Sequence, residues 1–389
     1  MLNFEFYSPT KIYFGRNQEL EIGRIIKEYG FKKVLIHYGQ SSIKKIGLYD
    51  KVVSSLNNHQ IDFIELGGVE PNPKIDLVYK AVRLCKNHKV DFILAIGGGS
   101  VIDSAKSCAV GACTDEDPWR FNLHEIKPKK SLPVGVILTI SAAGSELSNS
   151  CVISNLDGGW KRGFNHDLIR PLFAVMNPEL TFSVSKYQTG CGIVDILMHT
   201  LERYFNDVPN VDLTDQISQG LLKAVIDAGR IAINYPNDYE ARATLMLASS
   251  LSHNGLTGLG GRTYFTVHRL EHEISGMFDE VAHGAGLSVL FPAWAKYVYH
   301  QYLEKFAQFA YQVMKVDNNL PLDIASRQGI DLLETYFKEI GMPTRFSELG
   351  IDENSFEEMA IKALGKNQVL AGIVPLDKKM IIDIFELAK

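Results

Sequence analysis

Up to about residue 180, short β-branched and aromatic runs alternate with segments of helical spacing. The runs are FKKVLIHY (31–38), IDFIEL (61–66), DFILAI (91–96) and PVGVILT (133–139), and helical spacing follows the first three. This alternation predicts a β-α repeat on a parallel sheet. Apolar positions Ile75, Val78, Tyr79, Val82, Leu84 and Cys85 mark a crossover helix over 74–89, entered through the Pro-Asn-Pro at 71–73. Beyond about residue 185 the strand-like runs stop. Helical periodicity then predicts helices at 187–205, 214–233, 238–253, 265–275, 284–299, 302–314, 322–340, 353–364 and 377–388, many separated by Gly or Pro. The expected organisation is an α/β unit over 1–182 and an all-helical unit over 183–389.

Composition narrows the partners. A chain of 389 residues, 46% hydrophobic and 22% charged, exceeds the size at which one core stops growing. A net charge of −5 and a pI near 6.1 give no electrostatic reason to expect nucleic acid. The five cysteines are odd in number, lie in apolar contexts and form no C-x-x-C pair, which favours a reducing compartment. The N-terminus has no apolar signal-type core. The longest charge-free run, Ala243 to Gly261, carries His253 and Asn254, which a membrane span would avoid. A soluble, cytoplasmic protein with no membrane partner is the expectation.

Two kinds of chemistry stand out. Strand DFILAI runs into Gly97, Gly98, Gly99 and Ser100, followed by a helical segment with Asp103. Bare backbone at the end of a parallel strand, then a helix N-terminus, is a pyrophosphate cradle by position. The alternative is a tight turn of purely structural purpose. It is not G-x-G-x-x-G, because Ile102 stands at the third glycine. The loop after the first clear strand supplies Gly39, Gln40, Ser41 and Ser42, with Lys44 and Lys45 behind, where such domains meet the adenine ribose. No Asp or Glu ends that strand, which favours NADP(H) over NAD(H). A third loop places Thr139, Ser141, Ser145 and Glu146 at the same sheet edge.

The second chemistry is metal-like. Asp195 and His199 stand four apart on one helix face, and His268 and His272 repeat the spacing. His283 follows His268 by fifteen positions, roughly 22 Å along a straight helix, so His283 reaches the others only if the chain folds back. Gly276 offers that break. A set of Asp195, His199, His268 and His283, with no thiolate, suits Fe²⁺ or Zn²⁺, whereas an ordinary polar helix patch is the alternative for an isolated Asp/His pair.

In this order, SPTKIYFGRN, GGVEPNP, GGGSVIDSAK, TISAAGSE, DYEARATLMLASS and HGAGLSVLFPAW resemble the iron-containing (group III) alcohol dehydrogenases from end to end. Within them the chain is most similar to the NADP-dependent butanol dehydrogenase and aldehyde reductase branch. The resemblance implies a dehydroquinate synthase-like fold, a Rossmann-like nucleotide-binding domain followed by a helical metal-binding domain. It implies metal ligation by Asp195, His199, His268 and His283. Nucleotide contacts would come from Gly39, Ser41, Ser42, Gly98, Gly99, Ser100, Asp103, Thr139, Ser145 and Lys161. His272 matches a histidine near the nicotinamide, placed to relay a proton. The implied reaction moves a hydride between NADP(H), or NAD(H), and a short-chain alcohol or aldehyde such as butanol or butanal, in a homodimer. Relatives usually separate the last two ligand histidines by fourteen positions. Tyr264-Phe265-Thr266-Val267, Gln40, Ser41 and Ala143 also depart from the family pattern. Tyr264, Phe265, Met277 and Phe278 are candidate pocket walls.

Other classes of enzyme would leave different residues on the chain. A dehydroquinate synthase-like cyclase needs clustered basic residues near the metal helices, where mainly Arg203, Arg262 and Arg269 occur. A metal-dependent phosphohydrolase would need no glycine cradle. A maleylacetate-type reductase lacks the full ligand set, and a non-catalytic binding protein would not need it.

Overall fold

A computed structural model describes all 389 residues. Its α/β unit carries strands β1 (Lys11–Phe14), β2 (Lys33–Tyr38), β3 (Asp62–Leu66), β4 (Phe92–Gly97), β5 (Val134–Leu138), β6 (Ser150–Asn155), β7 (Trp160–Asn165) and β8 (Phe173–Met176). Six of them form a parallel sheet in the order β1-β8-β5-β4-β2-β3. Every residue of β4 and β5 is buried, as a sheet covered by helices on both faces requires. The helices of this unit are α1 (Ile22–Glu28), α2 (Ser42–Lys45), α3 (Leu48–Asn58), α4 (Ile75–His88), α5 (Gly99–Gly111) and α6 (Trp119–Asn122). The pair β6-β7 is a separate antiparallel hairpin, turned by Gly158 and Gly159 at φ 85° and 59°.

The second unit is helical: α7 (Lys186–Tyr204), α8 (Asp212–Asn234), α9 (Tyr239–His253), α10 (Thr266–Met277), α11 (His283–Val298), α12 (Leu303–Gln312), α13 (Leu322–Glu339), α14 (Phe356–Leu364) and α15 (Lys378–Leu387). Ser185, Asp238 and Asp377 cap α7, α9 and α15 with side-chain oxygens, which fixes where those helices start. Every residue of α7 from Thr189 to Tyr204 is buried. This helix therefore carries Asp195, His199, Glu202 and Arg203 into the interior, where each polar group must find a partner.

Two differences from the sequence expectation concern boundaries. The compact units are Tyr7–Val184 and Ser185–Lys389, and Met1–Phe6 belongs with the helices. The Met1 ammonium donates to the Pro209 carbonyl and the Leu2 amide to that of Gly260, both at 2.8 Å. The chain also does not break at Gly276. Helix α10 runs through it to Met277, and the reversal occupies Phe278–Ala282. No helix is long and apolar enough to cross a membrane.

Candidate active site

Strand order places the first constellation. From β2 the chain moves outward to β3, then returns to β4 on the other side of β2. The reversal point lies between β2 and β4, and ligands of such sheets bind beyond the strand ends there. Gly39, Ser41 and Ser42 follow β2, while Gly98, Gly99 and Ser100 follow β4. Thr139 follows β5, its amide donating to the Gly97 carbonyl at 3.1 Å. A Cβ on Gly97 would lie 2.5 Å from Val101 Cγ2, on Gly98 2.2 Å from Ile140 Cγ2, and on Gly99 2.9 Å from Ala143 Cβ. Bare backbone is thus required three times in succession. It brings the 139–145 loop against the start of α5, where the Val101 and Ile102 amides turn back to the Gly98 carbonyl at 3.0 and 3.1 Å while those of Gly99 and Ser100 precede any intrahelical acceptor.

Asp103 and Lys106 of α5 organise that loop. Asp103 accepts hydrogen bonds from the Ser145 hydroxyl at 2.5 Å and the Val152 amide at 2.9 Å. Burial raises its carboxyl above the usual range, against the attraction of Lys106. Lys106, fully buried, donates to the carbonyls of Ser145, Ser148 and Ser150 at 2.7, 3.0 and 2.9 Å. Burial presses its ammonium down to about 8, against the pull of Asp103. Lys161, buried on β7, pairs with Ser154 of β6 in the hairpin register.

The second constellation lies in the helical unit. Asp195 Oδ1 stands 3.5 Å from His199 Nδ1, 3.6 Å from His268 Nε2 and 3.9 Å from His283 Nε2. Donors about 2.1 Å from one ion in a tetrahedral set stand about 3.4 Å apart, close to this spacing. Asp195 Oδ1, His199 Nδ1 and His268 Nε2 are all buried without a hydrogen-bond partner. Three orphaned polar atoms within 4.8 Å of one another would be costly in an apolar interior. A divalent cation would satisfy all three at once, and one carboxylate with imidazoles is a donor set that fits Fe²⁺ or Zn²⁺. The reversal at Phe278–Ala282 brings His283, at the first turn of α11, to this cluster despite the fifteen-residue spacing.

Surrounding groups set the electrostatics. Burial, then the neighbouring imidazoles of His253 and His268, hold His199 well below the ordinary histidine range. Burial opposes protonation of His268 too, yet the Glu202 and Asp195 carboxylates outweigh it and lift it to about 9. Arg203 donates to the carbonyls of His199 at 2.6 Å and Ser252 at 3.0 Å, and its guanidinium lies 4.6 Å from the Phe265 ring centre. Phe265 adopts φ 52°, a left-handed conformation that is uncommon for a bulky residue. It stands edge-on to His268 at 5.1 Å and to His199 at 6.0 Å. Of the four expected wall residues, Phe265 meets the imidazoles, while Tyr264, Met277 and Phe278 pack on the helical core.

His272 falls outside the Asp195 cluster and groups with Glu271 and His283, its ring 5.8 Å from that of His283. Sequence reasoning missed Glu202, which bonds His268, and Glu271, which bonds His283. The signal was present: Glu202 lies seven residues after Asp195, on the same helix face, and Glu271 lies three after His268. The ring of His253 also lies 4.0 Å from that of His199.

Comparison with known proteins adds a family. Residues 9–178 match the family model of iron-containing alcohol dehydrogenase, and residues 189–388 match its C-terminal model. The chain is 40% identical over 388 residues to NADH-dependent butanol dehydrogenase A of Clostridium acetobutylicum, covering 99% of each. It is 33% identical over 377 residues to the NADPH-dependent aldehyde reductase YqhD of Escherichia coli, covering 94% of this chain and 96% of that one. The crystal structure of NADH-dependent butanol dehydrogenase A from Thermotoga maritima superposes with a TM-score of 0.96 at 36% identity, covering 100% of this chain and 99% of that one.

Proposed function

Because the chain belongs to the iron-containing alcohol dehydrogenase family, we propose that it interconverts short-chain aliphatic aldehydes and primary alcohols, butanal and butanol among them, with NADP(H) preferred over NAD(H). It is an NAD(P)-dependent oxidoreductase with a divalent metal. The family assignment sets aside the cyclase, phosphohydrolase and binding-protein readings. The metal part of that reading rests above all on the buried, partnerless Asp195 Oδ1, His199 Nδ1 and His268 Nε2.

Asp195, His199, His268 and His283 would hold the ion, Fe²⁺ or Zn²⁺. When bound, the ion supplies Lewis-acid polarisation of the substrate oxygen, and the dinucleotide supplies or accepts the hydride. The chain's own residues do the remainder. Gly98, Gly99 and Ser100 cradle the pyrophosphate on the first turn of α5. Thr139, Asp103, Ser145 and Lys161 complete the nucleotide side. Gly39, Ser41 and Ser42 receive the adenine ribose, and a β2 end without a carboxylate leaves a 2′-phosphate unrepelled. Phe265 walls the substrate space and keeps water from the imidazoles. His272 passes the alcohol proton towards solvent. The family resemblance supports a cytoplasmic homodimer.

A second reading, NAD(H) as the working cofactor, is favoured by the names of the C. acetobutylicum and T. maritima relatives. Metal analysis joined to NADPH and NADH rates across aldehydes from ethanal to hexanal tests both. Bound Fe²⁺ or Zn²⁺ and faster NADPH oxidation are expected. Metal-stripped protein as fast as the loaded form would defeat the metal assignment, and a faster NADH rate would reverse the cofactor preference.

A further inference from the structure

We infer that Glu202 and Glu271 are paired positioning residues that set the tautomer and direction of two imidazoles, so that the metal site proposed above is built before any ion arrives. Each of these histidines turns opposite ring nitrogens to two carboxylates. His268 and His283 aim Nε2 at Asp195 Oδ1, at 3.6 and 3.9 Å. Their Nδ1 atoms meet Glu202 Oε2 and Glu271 Oε2 respectively. A neutral imidazole has one N–H and one lone pair. A carboxylate that accepts from Nδ1–H therefore makes Nε2, facing Asp195, the nitrogen that gives up its proton and offers its lone pair when a cation binds.

Neither carboxylate has freedom to do otherwise. Glu202 is 5% exposed, and its two oxygens also accept the amides of Val267 at 2.6 Å and His268 at 3.0 Å. Those amides belong to the first turn of α10, whose N-cap Phe265 provides no side-chain acceptor. Glu202 thus caps α10 from a different helix while holding an imidazole on it. Glu271 is fully buried. Its other oxygen accepts from the Ser275 hydroxyl, and its stem leaves no room for a side chain at residue 286, where a Cβ would come within 2.8 Å of Cγ.

The arrangement is a relay across three helices. Glu202 of α7 fixes His268 of α10, and Glu271 of α10 fixes His283 of α11. Each imidazole is held by a helix other than its own, so the ligand geometry follows the packing of α7, α10 and α11 rather than the metal.

The inference rests on the metal reading, and the test separates the two. Apo protein is titrated with Co²⁺, following its visible d–d bands, in wild type, Glu271→Gln, Glu271→Ala, Glu202→Gln and His268→Ala, with thermal melting of each apo form. Glu271→Ala and Glu202→Gln should bind Co²⁺ about 10- to 100-fold more weakly, with an altered band shape. Glu271→Gln, which keeps an acceptor oxygen, should recover part of the affinity. Glu271→Gln should melt close to wild type, whereas Glu271→Ala leaves a cavity beside Gly286 and Glu202→Gln loosens the start of α10, so band shape and affinity rather than melting read the positioning role. Wild-type affinity and spectrum in both Glu271→Ala and Glu202→Gln would overturn the positioning role alone. Wild-type Co²⁺ binding by His268→Ala would overturn the metal reading and the inference with it.

Discussion

Lys106 donates its ammonium to both the carbonyl and the hydroxyl of Ser145, at 2.7 and 2.9 Å, from a position without solvent exposure. With the Ser148 and Ser150 carbonyls it gathers the loop that faces the glycine run, and Asp103 of the same helix bonds the same Ser145 hydroxyl. A buried lysine is justified only when its charge and its protons are all used, and here three carbonyls use them.

Replacing Lys106 by Met should therefore cost about 3 kcal/mol of stability, because Asp103 keeps a buried charge and three carbonyls lose a donor. The Kd for NADPH should rise about tenfold as the 139–145 loop loosens. Denaturant melts and fluorescence titration of NADPH check both numbers, and an unchanged Kd would detach Lys106 from nucleotide binding.

His37 supplies a pH signature for the same unit. Its Nδ1–H donates to the Leu66 carbonyl at 2.9 Å, and its Nε2 accepts from the Ser104 hydroxyl at 2.8 Å, tying β2 to α5. Complete burial lowers it to about 4, against the Leu66 bond, which favours the charged form. The folded value lies below the unfolded value of about 6.5, so the contribution is complete above that pH and is lost as pH falls through 6.5 towards 4. The total is roughly 3 kcal/mol. Urea midpoints measured from pH 7.5 to 4.5 should fall, and His37→Asn should flatten that part of the profile.

The helical half was the more legible in sequence. Apolar spacing placed α9 at 238–253 where it spans Tyr239–His253, because a buried face repeated over four turns leaves a strong period. Strands β1 and β8 were invisible, each being four residues long, too short for alternation to accumulate. The hairpin β6-β7, SCVISN and WKRGFN, mixes polar and apolar positions on both faces, and its one signal was the Gly158–Gly159 turn. At the site, Asp195 and His199 announced themselves by spacing. Glu202 did not, because its meaning comes from an imidazole 66 positions away that only packing supplies. Gly276 misled, since a helix already held by contacts on both sides tolerates a glycine near its end.

Phe265 should govern substrate size. Its ring lies edge-on to two of the site imidazoles, and Arg203 braces its other side. Phe265→Ala removes that wall while keeping the left-handed backbone. The ratio of kcat/KM for a branched or aromatic aldehyde to that for butanal should rise about tenfold, a range typical of added space in an apolar pocket. Metal content should stay at the wild-type level. A fixed ratio across aldehydes would assign the ring to packing alone.

Cofactor choice can be tested at Gly39. This residue directly follows β2 without a positive φ, and a Cβ there would meet only Val69 O at 3.5 Å and Val101 Cγ2 at 3.9 Å, both ordinary contacts. The position is thus glycine without backbone or steric need, and Gly39→Asp should fold as wild type. An aspartate at this strand end would accept a ribose 2′-hydroxyl and repel a 2′-phosphate. The ratio of kcat/KM with NADPH to that with NADH should drop at least about tenfold, on the scale of one like-charge contact of about 1.4 kcal/mol. Because the substitution lies in the α/β unit, Co²⁺ binding at Asp195 should not change. An unaltered cofactor ratio in a well-folded Gly39→Asp protein would move the ribose away from the β2 loop while leaving the cradle at Gly98, Gly99 and Ser100 in place.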